Sequence, residues 1–260
     1  MSSPSANPPF FIGYGRKVPA SLRLFLGVFC LCFLIGLGAS ALLLPTGLAD
    51  PGVAGFQWNQ RSTQIGKLEL RPYPVLRLPP DETNPAPRTV MLAGPGKRGV
   101  FPQAQPLEDM MVSMTGIPIR RGDLTMVQVS GGPKGLSAVH SGASDQTPSY
   151  QPSNTVPLGR WRLSGEICDG KCYSGAMRPG RGLAHKACAN LCLSGGVPPV
   201  FVTEIPVEGR NFFLLTAPDG SQPSDEIYDL VGLPVTLEGD VEKLDDLLVF
   251  KASLAEGPSQ

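Results

Sequence analysis

Val112-Ser113-Met114-Thr115-Gly116 and Val235-Thr236-Leu237-Glu238-Gly239 lie 123 positions apart, and each is an alternating apolar run that ends on glycine. The same displacement lays Val90-Met91-Leu92 on Phe213-Leu214-Leu215, Pro95 on Pro218, and Leu124-Thr125-Met126-Val127 on Leu247-Leu248-Val249-Phe250. No gap is needed from Val90 to Val127, which reads as an internal repeat. Each copy holds a strand, a Gly/Pro turn, a loop, an alternating strand, a tight turn and a final strand. That order matches the later strands of a small closed barrel.

The rest of the chain after Pro45 has the same character. Residues 67–71, 73–78, 160–163, 199–203 and 211–215 are short runs, several with period two, punctuated by turn residues. With 31 Gly and 28 Pro the chain is poorly suited to long helices outside one segment. Residues 51–130 are expected to form one β-module and 158–255 a second, joined by a linker at 131–157 whose Gly, Ser, Pro, Gln and Asn carry few large apolar neighbours.

The exceptional segment runs from Leu24 to Leu44 without a charge and is rich in Leu and Phe. As a helix it is long enough to span the hydrocarbon of a bilayer. Arg16, Lys17 and Arg23 precede it, whereas the first basic residue after it is Arg61, so the positive-inside bias places residues 1–23 in the cytoplasm. The expectation is a single-pass protein of the inner (cytoplasmic) membrane with its C-terminal modules periplasmic. A cleaved signal peptide ending near Gly47-Leu48-Ala49 is the competing reading, but the charged lead and apolar core are long for one. Gly36 and Ser40 have a small-xxx-small spacing. With 22 basic and 22 acidic side chains the formal charge is zero, and nucleic acid is not an expected partner.

Chemistry concentrates in one insertion, residues 168–192. Cys30 and Cys32 lie in the apolar segment and behave as small hydrophobes. Cys168, Cys172, Cys188 and Cys192 form C-x3-C-x15-C-x3-C, with His185 three positions before Cys188. The stretch 186–192 has good helix formers, so Cys188 and Cys192 share one helix face with His185 within a turn, and Gly195-Gly196 stops the helix. In an oxidising compartment the first expectation is two structural disulfides, for example Cys168 with Cys192 and Cys172 with Cys188. The alternative is a metal site of these thiols with His185 and Met177, whose soft donors suit copper or zinc. A redox-active thiol pair is the third reading, with Lys171 lowering a thiol pKa, although neither pair is C-x2-C.

Leu163-Ser-Gly-Glu-Ile-Cys-Asp-Gly-Lys-Cys-Tyr173, Gly182-Leu-Ala-His-Lys-Ala-Cys-Ala-Asn-Leu-Cys192 and Gly195-Gly-Val-Pro-Pro199 together resemble a pattern in uncharacterised bacterial exported proteins. The resemblance runs from Leu158 to Leu254 and implies an OB-like barrel and an extracytoplasmic location without supplying a catalytic residue. The twin C-x3-C of small mitochondrial chaperones belongs to helical hairpins, whereas Cys168 here follows a strand.

Other signals are bland. Gly94-Pro-Gly-Lys-Arg-Gly99 lacks the spacer and the Ser/Thr of a phosphate loop and reads as a turn. The chain has two histidines, His185 in the insertion and His140 in the linker, which gives little support to a Ser-His-Asp relay or a three-histidine metal site. Glu108-Asp109 and the acidic run at 242–246 read as solvated turns, and Arg120-Arg121 and the stretch from Arg178 to Arg181 as surface spots.

The fold expected is mainly β: an N-terminal transmembrane helix, then two tandem small OB-like β-barrels, the second with a Cys-rich loop and short-helix insertion. The function expected is that of a membrane-anchored, non-catalytic binding or accessory subunit of a bacterial envelope complex, with other membrane proteins as partners, no cofactor, and a cap held by disulfides. The alternative is a copper, zinc or thiol-redox protein using Cys168, Cys172, His185, Cys188 and Cys192.

Overall fold

The computed structural model describes residues 18–43, 52–122, 124–139 and 155–254. His140, Gly47-Leu48-Ala49, Leu44 and most of the expected cytoplasmic segment lie outside them. The chain divides into two units, residues 1–49 and 50–260.

In the first unit, α1 (Ala20–Leu43) is 24 residues long, strongly apolar, and has no buried residue. It is long and apolar enough to cross a membrane once. It begins ahead of the expected boundary, taking in Arg23, whose guanidinium folds back onto the carbonyl of Val18 at 3.0 Å.

The second unit is mainly β. Its first sheet contains β1 (Ala54–Phe56), β2 (Ser62–Glu69), β3 (Val75–Leu78), β4 (Arg88–Ala93), β5 (Met111–Arg121), β6 (Leu124–Val129) and β7 (Leu136–Ala138). Five of these close on themselves in the order β2-β3-β4-β6-β5, because β5 pairs with β2 along one half and with β6 along the other. The second barrel has the same order, from β8 (Thr155–Asp169), β9 (Pro199–Val207), β10 (Arg210–Thr216), β12 (Leu247–Ser253) and β11 (Pro234–Leu244). Short helices α2 (Phe101–Ala104) and α4 (Ile227–Leu230) precede β5 and β11 and bury Ala104 and Ile227 in equivalent places; α3 (Lys186–Ser194) belongs to the insertion.

The repeat is visible in the hydrogen-bond register. β4 and β6 run parallel with Met91 opposite Met126 and Leu92 opposite Val127. β10 and β12 run parallel with Leu214 opposite Val249 and Leu215 opposite Phe250, the same residues one repeat further on. β5 exchanges β2 for β6 at Gly116, whereas β11 keeps β8 along its whole length and takes on β12 from Glu238; in both, the glycine that ends the repeated run lies where the second partner joins. A Cβ on Gly116 would strike Val127 and the backbone of Gln128, and one on Gly239 would strike the backbone of Lys251 and Ala252.

The linker is shorter than expected at both ends. Leu136–Ala138 forms β7 against β5, and β8 already begins at Thr155, paired with Leu244. Free strand edges at both places accept these segments through backbone hydrogen bonds.

Three cores result. Leu68, Leu76, Val90, Leu92, Val112 and Met114 fill the first barrel, and Leu163, Phe201, Phe213, Leu215, Leu237 and Phe250 the second. The alternate residues of the same strands form a third core between the barrels: Met91, Ala93, Ile119 and Met126 from one, Val200, Phe212, Leu214 and Val249 from the other. It holds seventeen buried residues against thirteen and sixteen inside the barrels, so the modules are fused back to back rather than strung on a tether.

At the edge of this third core Arg77, 1% exposed, donates to both carboxylate oxygens of Asp245, at 2.9 Å from Nε and 2.7 Å from Nη2, and to Glu69 at 3.2 Å. Thr89 completes the join, its hydroxyl on Asp245 at 2.9 Å and its N–H on Asp246 at 2.6 Å. The acidic run at 242–246 is therefore not a solvated turn: Glu242 pairs with Lys251 at 2.7 Å, and burial pushes the Asp246 carboxyl pKa up. Asp245 adopts a positive φ, as does Gly122 at the equivalent position of the first barrel. Aspartate tolerates that left-handed conformation better than most residues, so the second copy trades glycine for a carboxylate that reaches the first barrel.

Removing one partner of a buried ion pair leaves an uncompensated charge. Arg77→Met is expected to lower unfolding free energy by about 3–5 kcal/mol in denaturant titration, and adding Asp245→Asn to recover part of the loss. A loss for Arg77→Met below about 1 kcal/mol, the value of a surface pair, would show that the bridge does not hold the barrels together.

Candidate metal centre

The first barrel joins β2 to β3 through residues 70–74, whereas the second spends residues 170–198 on the equivalent connection between β8 and β9. Asp169, the last residue of β8 and fully buried, organises this insertion. Its Oδ1 accepts the Cys172 N–H at 2.8 Å, which starts the turn Cys172–Ala176, and its Oδ2 lies 3.0 Å from His185 Nε2. The Ser174 hydroxyl donates to the carbonyl of Gly170 at 2.6 Å. The chain then runs through Met177 and the turn at 182–185 into α3, whose Ala189 and Cys192 are buried and whose Cys188 is half-buried. The helix ends at Gly195, as the glycine pair predicts.

This arrangement brings four of the five candidate ligands together. The sulfurs of Cys172 and Cys188 and one ring nitrogen of His185 all lie within 4.8 Å of one another. Cys192 Sγ lies 3.9 Å from Cys172 Sγ, and with a carboxylate oxygen of Asp169 these two form a second group of the same tightness. Met177 Sδ is 3.4 Å from Cys188 Sγ. Cys168 stands apart from both groups: on β8, opposite Val200, it donates its thiol proton to Glu166 at 3.3 Å, and burial, with Glu166 adding to it, holds its pKa well above the ordinary thiol value.

The disulfides expected from the spacing are absent. All six cysteines are free thiols, and neither Cys168–Cys192 nor Cys172–Cys188 is bonded. The reason is local. Cys168 is held on the strand beside Glu166, and the buried sulfurs that meet are Cys172 and Cys192, 3.9 Å apart. That separation is about twice the length of an S–S bond. The hydrogen bond the two thiols share holds the Cys192 pKa down and the Cys172 pKa well up.

The first barrel contributes to the site through the turn at residues 94–99. Its ends are tied by the Gly94 N–H on the carbonyl of Arg98 at 2.7 Å, and it carries Lys97 Nζ to 2.5 Å from Cys188 Sγ. The ammonium–sulfur contact raises the Lys97 pKa. Lys171, expected to act on a thiol, instead spends its buried ammonium on the carbonyls of Gly94 and Gly96, at 2.6 and 2.7 Å, and burial lowers its pKa. Gly99 N–H donates to the carbonyl of Gly195 at 2.7 Å, and a Cβ on either glycine would drive into the opposing backbone. The basic spots are also engaged: Arg121 stacks over the Tyr173 ring at 4.4 Å, and Arg178 donates to the carbonyl of Ala54 at 3.2 Å.

Sequence reasoning missed Asp169 and Lys97. Asp169 sits inside the cysteine motif, next to Cys168, and an acid there was a readable signal for a partner of His185. Lys97 is 91 residues from Cys188 and carries no local signal. Compared with known proteins, the chain matches no family model, no curated protein and no solved structure.

The glycine contact yields a direct check. A Cβ on Gly99 would meet the Gly196 backbone at the end of α3, whereas Gly96 is left-handed with open space around it. Gly99→Ala is expected to lose about 1–3 kcal/mol in denaturant unfolding, because the added methyl overpacks that contact. Gly96→Asn should stay within about 0.5 kcal/mol of the parent, since asparagine tolerates a left-handed surface position. Equal effects at the two sites would show that the turn and the cap are not in contact.

Proposed function

We propose that this protein is a single-pass, membrane-anchored extracytoplasmic protein that binds a soft metal ion through Cys172, His185, Cys188 and Cys192, serving as a non-catalytic accessory subunit of a bacterial envelope complex. The observation that carries the reading is the convergence of two sulfurs and an imidazole nitrogen within 4.8 Å, with a third sulfur 3.9 Å from Cys172. Two thiolates bound at about 2.3 Å to one tetrahedral ion stand about 3.8 Å apart, so Cys172 and Cys192 already have the spacing of neighbouring ligands.

The surroundings support the same chemistry. Asp169, accepting from one nitrogen of His185, fixes the ring and its tautomer, the role a carboxylate plays behind a metal-ligating histidine. Lys97 beside Cys188 offsets the negative charge that several thiolates bring to one ion. The sulfur-rich donor set suits zinc or copper(I) over hard cations. The basic residues Arg16, Lys17 and Arg23 ahead of the apolar run favour an N-terminus in the cytoplasm and barrels outside it.

Full-length protein, purified in detergent under anaerobic reducing conditions, is expected to bind one equivalent of cobalt(II) with the thiolate charge-transfer and ligand-field bands of a tetrahedral sulfur-rich site, and zinc should displace it. Cys172→Ser, Cys188→Ser and Cys192→Ser should each weaken binding by about tenfold or more, while Cys168→Ser leaves it unchanged within about twofold. Failure of the reduced protein to bind cobalt, zinc or copper(I) would overturn the proposal, as would equal losses for Cys168 and the other three.

A further inference from the structure

We infer that the cap takes copper(I), with the thioether of Met177 as a ligand beside Cys188. The inference rests on the reading of the cap as a soft-metal site and adds which ion it holds and which residue selects it.

Met177 is placed by the fold rather than by packing demand. The residue leaves the turn Cys172–Ala176 in extended conformation, which carries its side chain toward α3. It is 43% exposed, next to the exposed Arg178 and Pro179, so core filling does not account for its position. Its Sδ instead lies 3.4 Å from Cys188 Sγ, a thioether and a thiol side by side. Cys188 is the half-buried thiol of the cluster, while Cys172 and Cys192 lie deeper. The open edge of the site is therefore lined by the one donor pair that combines thiol and thioether.

The donor chemistry decides between the two soft ions. A thioether is neutral, polarisable and weakly basic; it contributes little to zinc, which is satisfied by thiolate and imidazole, and is a selective ligand for copper(I). Copper(I) at this edge would use Cys188, Met177 and a deeper donor from Cys172 or His185, both within 4.8 Å of Cys188.

The test compares two metals on the full-length protein in detergent, without oxygen. Copper(I) is titrated against the chromophoric chelator bathocuproine disulfonate and zinc against a chromophoric zinc chelator, for wild type, Met177→Leu and Cys188→Ser. Met177→Leu keeps the apolar volume and removes only the thioether. The expected result is a loss of about tenfold or more in copper(I) affinity for Met177→Leu, with zinc affinity unchanged within about twofold, and loss of both metals for Cys188→Ser. On selenomethionine-labelled protein loaded with copper(I), absorption at the selenium edge should show a copper neighbour. Unchanged copper(I) affinity in Met177→Leu, or zinc binding without copper(I) binding in wild type, overturns this inference and leaves the metal-site reading standing. Binding of neither metal overturns both.

Discussion

A strand that is apolar on both faces cannot serve as the outer wall of an isolated barrel, and β4 and β10 are such strands. β4 and β10 point Val90, Leu92, Phe213 and Leu215 into their own barrels and Met91, Ala93, Phe212 and Leu214 outward. Each large apolar side chain removed from water contributes roughly 1.5–3 kcal/mol. The outward set is buried against the outward set of the other copy together with Cys172, Tyr173, Cys192 and Val197 of the insertion. Back-to-back fusion follows, and the Arg77–Asp245 bridge and the hydrogen bonds of Thr89 fix its register at one edge. A charged pair is a poor source of net stability but a strict test of alignment, because a shifted interface would leave both charges buried and alone.

Everything at the cap depends on that alignment. Asp169 ties both the Cys172 turn and His185 of the insertion to the end of β8. The fused first barrel adds a second wall. Its turn at residues 94–99 lies against the end of α3 closely enough that both facing residues must be glycine, its carbonyls hold Lys171, and its Lys97 meets Cys188. The site thus belongs to neither barrel alone, and a soft cation bound there would report on the joint between them.

Much of the fold was legible because the repeat and the period-two pattern record which residues face inward. The displacement of 123 positions predicted strand pairs that recur residue for residue in both barrels. The i, i+4 spacing of Cys188 and Cys192, with Gly195 after them, predicted the helix and its end. The continuous apolar run Val90-Met91-Leu92-Ala93 was also a readable sign of burial on two faces, and its meaning emerged only with a partner surface. The linker limits were misread because β7 and the start of β8 are held by backbone hydrogen bonds, which leave little trace in composition.

By itself, the sequence determined the apolar helix, the repeated order of strands in the two barrels, and the clustering of thiols and His185 in one insertion, since all of these follow from local periodicity and spacing. Tertiary structure alone decided that the barrels fuse, that Asp245 is a buried partner of Arg77 rather than a solvated acid, that Cys168 leaves the cluster while Met177 and Lys97 join its edge, and that the remaining thiols meet as neighbours instead of disulfides. Those outcomes rest on contacts between residues far apart in the chain, whose distances are set by the closing of the barrels and not by the sequence near them.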